Sequence, residues 1–255
     1  MPRNSSNKKR LPEDDEDDDI AATSNPQILD RKIAELVQYL LMMEQNKVPV
    51  KRADISKNVL KGYKSMYQDV LSGAKANLSE VFGFEVIEVE HLSGKTKMKL
   101  YFLLNKMDSD LREGLVEIPA ENPKNALLWI ILAIIFMNEG MISEIQLWQA
   151  IQKLGLSQDE KSHPVYGDLK KLITTEFPRQ LYLEYTRVAN TDPAVYELRW
   201  GARAKAEVDL EKLLQMVTEI YGNNMTAQSW RSQYKLVQEW KAGKGLDAEE
   251  MVEDG

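Results

Sequence analysis

Twice along this chain, 95 residues apart, the spacing of apolar side chains changes from about 3.6 residues to 2, each time after three helical segments. Such a change confines the fold. Residues i and i+4 share a helix face while i and i+2 share a strand face, so neither pattern can be buried as the other. Between Ile28 and Met43, Ile33, Leu36, Val37, Leu40 and Leu41 recur at helical spacing, with Asn25-Pro26 as an entry signal. Val48-Pro49-Val50 breaks the run. A short helix over Arg52 to Leu60 follows and, beyond Gly62, a third over Lys64 to Val81, with Met66, Val70, Leu71, Leu78 and Val81 on its apolar side. From Phe84 the pattern alternates. Phe84 and Val86 interleave with Glu85 and Ile87, a turn falls at Leu92-Ser-Gly-Lys, and Met98, Leu100, Phe102 and Leu104 interleave with Lys99, Tyr101 and Leu103, which predicts a hairpin.

The same order then recurs. Ala126 to Met137 is an unbroken apolar run of 12 residues, well short of the ~20 that span a bilayer, and reads as a helix buried on most sides. Gly140 can end it in a left-handed cap. Ser143 can cap the next helix, with Ile145, Trp148, Ile151 and Leu154 assigned to its inner face. A third helix is expected near Val165 to Thr175, after His163-Pro164. A second hairpin joins Leu181–Val188 to Val195–Trp200 through Ala189-Asn-Thr-Asp-Pro. Leu40 and Ile135 hold equivalent places in the two first helices, as do Phe82 and Phe177 at the ends of the third. Three helices and a hairpin make a winged helix, in which the sheet closes the core. Two more helices are expected, about Ala202 to Tyr221 and Thr226 to Lys241. The predicted fold class is therefore mainly α with small β-hairpins (α+β): two tandem winged-helix domains (27–107 and 125–201) joined by a linker (108–124), with a C-terminal helical extension (202–242).

Charge separates these parts. The net −7 of the 255 residues lies in the ends: −3 over residues 1–25, where Glu13 to Asp19 are seven consecutive acids, and −4 over 243–255. Both ends read as solvated, disordered acidic tails (1–26 and 243–255), because adjacent like charges repel and little apolar surface is there to repay ordering. Lys8-Lys9-Arg10 could serve nuclear import or simply solvate the tail. The body is neutral overall, but 26–107 carries +4 and 108–242 carries −4. No Arg-flanked apolar stretch opens the chain, so a secretory signal is not expected.

Catalytic chemistry has few candidates. There is no cysteine, which excludes disulfides, thiolate zinc sites and a thiol nucleophile, and which fits a reducing compartment. The two histidines, His91 and His163, fall in predicted loops outside any metal-ligand spacing. No glycine loop that cradles phosphate and no nucleophile elbow occurs. The expectation is a chain that is not an enzyme, with no cofactor, no membrane and no small-molecule substrate.

The runs Leu36–Ile55, Met66–Glu90 and Tyr101–Asp108, then Leu127–Leu156, His163–Val188 and Tyr196–Glu207, resemble in order and content the MAGE homology domain, over about residues 28–242. The resemblance implies an adaptor that binds RING-type ubiquitin ligases. The compact chain is nearest the ancestral branch, which works inside the structural-maintenance-of-chromosomes (SMC) five–six complex. That branch pairs with a RING subunit, non-SMC element one, holds a kleisin, non-SMC element four, contributes DNA binding and acts in DNA repair. It implies a nuclear, chromosome-associated protein. Two alternatives stand beside it: a MAGE regulator of another RING ligase unconnected to chromosomes, and a free-standing winged-helix transcription regulator.

By the same resemblance, Leu40-Leu41 with Leu36 on the first helix would bind the RING partner. Adjacent leucines on a helix point about 100° apart, so one of the two can anchor a partner while the other faces the core. Ile142, Ile145 and Trp148 are candidates for holding an amphipathic kleisin helix, with burial in the domain's own core as the competing reading. For weak, sequence-independent contact with double-stranded DNA, the resemblance favours the second half: Lys170 and Lys171 on its third helix, Arg187 and Arg199 on its hairpin, Arg203 and Lys205 on the following helix. Local charge favours the first half, where Lys95, Lys97 and Lys99 decorate the wing and Lys51, Arg52 and Lys57 lie nearby. Solvated lysines are the plain alternative in both.

Overall fold

The computed structural model of the chain describes residues 26–93, 96–107, 123–222 and 225–253. The chain forms two compact units that divide at Asp108. The expected N-terminal tail, nearly all of the expected linker and Lys95 of the first wing lie outside the described residues.

In the first unit, α1 (Pro26–Glu44) starts with proline at its first position, where no backbone N–H is needed. It buries Leu36, Val37 and Leu40 one turn apart. Lys32 is buried too, and its Nζ is satisfied by Glu35 at 2.7 Å and by the Val59 carbonyl at 2.8 Å. A two-residue strand, β1 (Val50–Lys51), leads into α2 (Arg52–Ile55), which widens into a π-helical turn, Ser56–Leu60. A 3₁₀ turn, Lys64–Met66, opens α3 (Tyr67–Phe82). Gly83 closes α3 in the left-handed region (φ 66°) and donates its N–H to the Leu78 carbonyl, after which β2 (Phe84–Ser93) and β3 (Thr96–Asn105) pair antiparallel. β1 adds to the other edge of β3, so the order is β1-β3-β2. The core fills with Leu36, Leu40, Ile55, Leu60, Val70 and Leu78 against Val86, Tyr101 and Leu103.

The second unit repeats this plan. Its helices are α4 (Pro123–Met137), α5 (Glu144–Gln152) and α6 (Leu169–Lys171, continuing through Leu172–Glu176 to Phe177–Arg179). Its strands are β4 (Met141–Ser143), β5 (Leu183–Arg187) and β6 (Tyr196–Trp200), in the order β4-β6-β5. The matching strand orders, and the burial of Leu40 and Ile135 at equivalent places, give the duplication structural form. Phe82 and Phe177 do not match: Phe177 is core, whereas Phe82 is 40 % exposed. The fold class is the expected one, α+β with a three-helix, three-strand unit twice over. The short third strands β1 and β4 were not expected from the sequence.

Four local expectations are corrected. Ile145 and Leu154 lie outside the core (64 % and 55 % exposed), and Leu147 takes the inner place beside Trp148 and Ile151. Residues nine apart on a helix fall on opposite sides at about 100° per residue, so Ile145 and Leu154 could not share a face. The third helix of this unit starts at Leu169 rather than Val165, because the Asp168 side chain caps the Lys171 N–H at 2.8 Å and His163 pairs with Gly167 in a turn before it. The helix expected from Ala202 to Tyr221 is two, α7 (Ala202–Glu207) and α8 (Leu210–Tyr221), parted at Val208 by Asp209, which caps the Glu211 and Lys212 N–H groups. The last helix, α9 (Arg231–Glu253), runs past the expected end at Lys241, its later residues rich in Ala, Glu, Leu and Met, which favour helix. α8 and α9 bury Leu213, Leu214, Val217 and Val237 in the core of this unit.

Candidate interaction surfaces

On α1 the two leucines part as their geometry requires. Leu40 is 2 % exposed and Leu36 wholly buried, so both are core. Leu41 is half-buried, packed on the edge of that core, and Met42 beside it is 53 % exposed. A partner reaching α1 meets Leu41 and Met42, while Leu36 and Leu40 set their height from beneath.

In the second unit the kleisin candidates divide likewise. Ile142 and Trp148 are buried core residues; Ile145 is open. Ile145 stands on a groove of about 430 Å³ lined also by Glu144, Trp148, Gln152, Lys170 and Tyr196. Its wall is held by Glu144, which accepts hydrogen bonds from the Tyr185 hydroxyl (2.7 Å) and the Trp148 indole N–H (3.3 Å), and by the stack of Tyr185 on Tyr196 with ring centroids 4.7 Å apart. Burial, and then the bond to Glu144, push the Tyr185 hydroxyl well above the ordinary tyrosine range. A second groove, of about 570 Å³, lies between Phe136, Trp200, Arg199 and Lys205 on one side and Leu236 and Trp240 of α9 on the other. Sequence reasoning missed it. The available signal was Leu236 and Trp240, four apart on α9, with Leu236 exposed next to the buried Val237.

The cations expected to contact DNA are not brought together. Lys170 lines the first groove, and Arg199 and Lys205 line the second. Lys171 and Arg187 are exposed elsewhere. Arg199 pairs with Glu197 at 3.2 Å, and Lys205 pairs with Glu184 at 3.3 Å. Arg203 corrects its assignment outright. It is 0 % exposed, its Nε donates to the Gln180 carbonyl at 3.0 Å, and its Nη1 pairs with Glu207 at 3.1 Å. It is an internal tie, because the residues that open α7 turn inward against the Leu181–Leu183 backbone.

In the first unit the described wing lysines are also matched. Lys97 pairs with Glu90 at 3.4 Å and Lys99 with Glu88. The Lys99 hydrogen bond holds the Glu88 carboxyl below the usual range. Opposite Glu88, Tyr101 accepts from the Tyr67 hydroxyl at 3.0 Å, and burial raises both phenols above their ordinary value. Lys51, Arg52 and Lys57 are exposed. His163 is used structurally: its Nδ1 accepts the Val165 and Tyr166 N–H groups. Among the described residues no cluster of three or more His, Asp or Glu could hold a metal ion, and no helix is long and apolar enough to cross a membrane.

The chain is similar to known proteins over most of its length. The chain is 38 % identical to the mouse non-structural maintenance of chromosomes element 3 homolog over 206 residues, which is 81 % of this chain and 71 % of that protein. It is 38 % identical to the human counterpart over the same length, 65 % of that protein. It is 34 % identical to human melanoma-associated antigen D2 over 89 % of this chain but only 35 % of that protein. Among solved structures, a chain of an Nse1-Nse3-Nse4 complex superposes with a TM-score of 0.73 at 37 % identity, covering 84 % of this chain and 99 % of that one. Residues 36–211, from the first helix of one winged helix to the first turn of α8, match the MAGE homology domain, and the chain belongs to that family.

Proposed function

We propose that the chain is a non-catalytic subunit of an SMC five–six complex, an adaptor that joins and regulates a RING ubiquitin-ligase subunit and holds a kleisin, on chromatin in the nucleus, with sequence-independent contact to duplex DNA. The observation that carries this is the superposition on a chain of an Nse1-Nse3-Nse4 complex over nearly all of that chain's length at 37 % identity. The RING subunit, of the non-SMC element one type, docks on α1 against Leu41 and Met42. Burying two such side chains contributes about 1.5–3 kcal/mol each, enough for a small anchor surrounded by neutral contacts. The kleisin, of the non-SMC element four type, lays an amphipathic helix in the groove at Ile145, whose rigid Tyr185–Glu144–Trp148 wall lowers the ordering cost of binding.

The 34 % identity with melanoma-associated antigen D2 supports a second reading, regulation of a RING ligase outside any chromosome complex. Co-purification of the tagged chain from its own cells with mass spectrometry separates the two. Recovery of SMC subunits with a RING protein is expected; a RING protein without SMC subunits would leave only the second reading.

A further inference from the structure

Between Lys51 and Lys64 the chain carries five cations, Lys51, Arg52, Lys57, Lys61 and Lys64, against one carboxylate, Asp54. All five are exposed, Asp54 is half-buried, and among the described residues none of the five has an ion-pair partner. Arg52 lies over the Tyr67 ring, 4.6 Å from its centroid, which fixes its direction without cancelling its charge. The segment is tied to the first half of α1. Lys32 Nζ donates to the Val59 carbonyl at 2.8 Å and sits 5.5 Å from the centroid of the Tyr63 ring. Asn58 Nδ2 donates to the Tyr39 hydroxyl at 3.2 Å. Lys32 comes six residues after Pro26, so α1 begins only about 9 Å along its axis from that tie.

The sequence before Pro26 carries the opposite charge: Ile20 to Asn25 are uncharged, and before them Glu13 to Asp19 are seven consecutive acids. We infer that this acidic run folds back onto Lys51–Lys64 of its own chain and occupies it, so that the surface opens to another acidic polypeptide only when the run is displaced. Ile20 to Asn25 let Asp19 lie up to about 25 Å from Pro26, farther than the ~9 Å from Pro26 to the tie at Lys32, so the run reaches the cations. Lys170, Lys171 and Arg187 are exposed too, but they belong to the second unit, whereas the run is joined directly to the first. Single exposed ion pairs are weak and screened by salt. Here many charges face many, and a short tether holds the run at an effective concentration of about millimolar. Arg3, Lys8, Lys9 and Arg10 lie beyond the run as counted from α1, so its acids are the first charges the segment meets.

The test uses the full chain. Because it has no cysteine, Leu11→Cys gives a single attachment point for a nitroxide just before the run. At low salt the label should take intensity from the amide resonances of Ala53, Asn58 and Gly62, and about 1 M salt, where charges are screened beyond ~3 Å, should restore it. The loss should vanish in two further backgrounds: Lys57→Gln with Lys61→Gln and Lys64→Gln, and a run neutralised by Glu→Gln and Asp→Asn at positions 13 to 19. Circular dichroism melts confirm that both fold, and the neutralised run, which alters none of the described residues, decides the matter should the lysine variant not fold. Equal loss with the run neutralised would mean that the tether alone brings the label close, and would overturn the inference. Loss at Lys170, Lys171 and Arg187 instead would place the run on the second unit, and loss nowhere would show that it does not fold back; either overturns it. A fluorescent peptide with the sequence of Glu13–Asp19, followed by anisotropy, should bind the neutralised-run chain more tightly than the wild type; equal affinities would refute the masking.

Discussion

Arg203 lets the separation of interior from surface be checked in one experiment. Its guanidinium is wholly buried, ties the Gln180 carbonyl to Glu207, and lies 5.7 Å from the centroid of Tyr182, whose hydroxyl donates to the same carboxylate at 2.7 Å. Arg203→Ala leaves Glu207, whose side chain is 22 % exposed, and a backbone carbonyl without this partner. Breaking a buried pair from one side costs about 3–5 kcal/mol. With a urea m-value near 2 kcal/mol/M, the unfolding midpoint falls by about 1.5–2.5 M. All five tryptophans (Trp129, Trp148, Trp200, Trp230, Trp240) lie in the second unit, so tryptophan emission follows the unfolding of that unit alone. Replacing both ends with apolar residues, Arg203→Met with Glu207→Leu, should recover most of the loss, because no uncompensated charge remains. Anisotropy adds the functional readout: in buffer where the single variant is folded, its DNA salt slope equals that of the wild type. An unchanged midpoint together with a slope shallower by about 0.9 would make Arg203 a phosphate contact and refute the reasoning.

On α1, Leu40→Ala should cost 2–5 kcal/mol of stability of the first unit, whereas Leu41→Ala with Met42→Ala should cost under half of that and lose capture of the RING partner. Capture surviving in the folded double variant would remove α1 from the interface. Gly201→Ala places a Cβ 2.2 Å from the Leu181 carbonyl oxygen, a backbone clash that should lower the tryptophan-detected midpoint by about 0.5–1.5 M; a wild-type midpoint would show that the backbones at Leu181 and Gly201 move apart freely. Tyr67 and Tyr101 are held above their ordinary pKa of about 10, so folding favours the neutral phenols. Their stabilisation is complete below pH 10 and is lost above it at up to about 1.4 kcal/mol per pH unit for each. Thermal melts of the first unit should fall only above pH 10, and Tyr101→Phe should flatten that fall; identical slopes in variant and wild type would contradict the buried pair.

Much of this was legible because period and caps are local. The switch from 3.6 to 2 marked both hairpins, and Ser143 caps its helix as expected, with a capping box to Gln146 that the structure adds. Asp168 and Asp209 carried the same kind of signal, but the helices expected from Val165 and through Val208 ran across them, which misplaced one start and hid one break. Spacing could say that Leu40 and Leu41 diverge but not which turns inward, because that depends on where the core lies across the unit. Arg203 was misread for a deeper reason. A guanidinium that opens a helix after a strand resembles a solvated cation until the fold supplies Glu207 and the Gln180 carbonyl around it. Net charge by half pointed to the first unit as the cationic one, but only the three-dimensional pairing showed that Lys97 and Lys99 of its wing are matched by carboxylates.

The central claim is that this chain is an adaptor which assembles other subunits. Mixing it with a RING subunit of the non-SMC element one type and a kleisin of the non-SMC element four type, and weighing the eluted species by light scattering, tests that directly. The account predicts one stable species holding one copy of each chain, which falls apart when Leu41 and Met42 are replaced; three separately eluting proteins would contradict it.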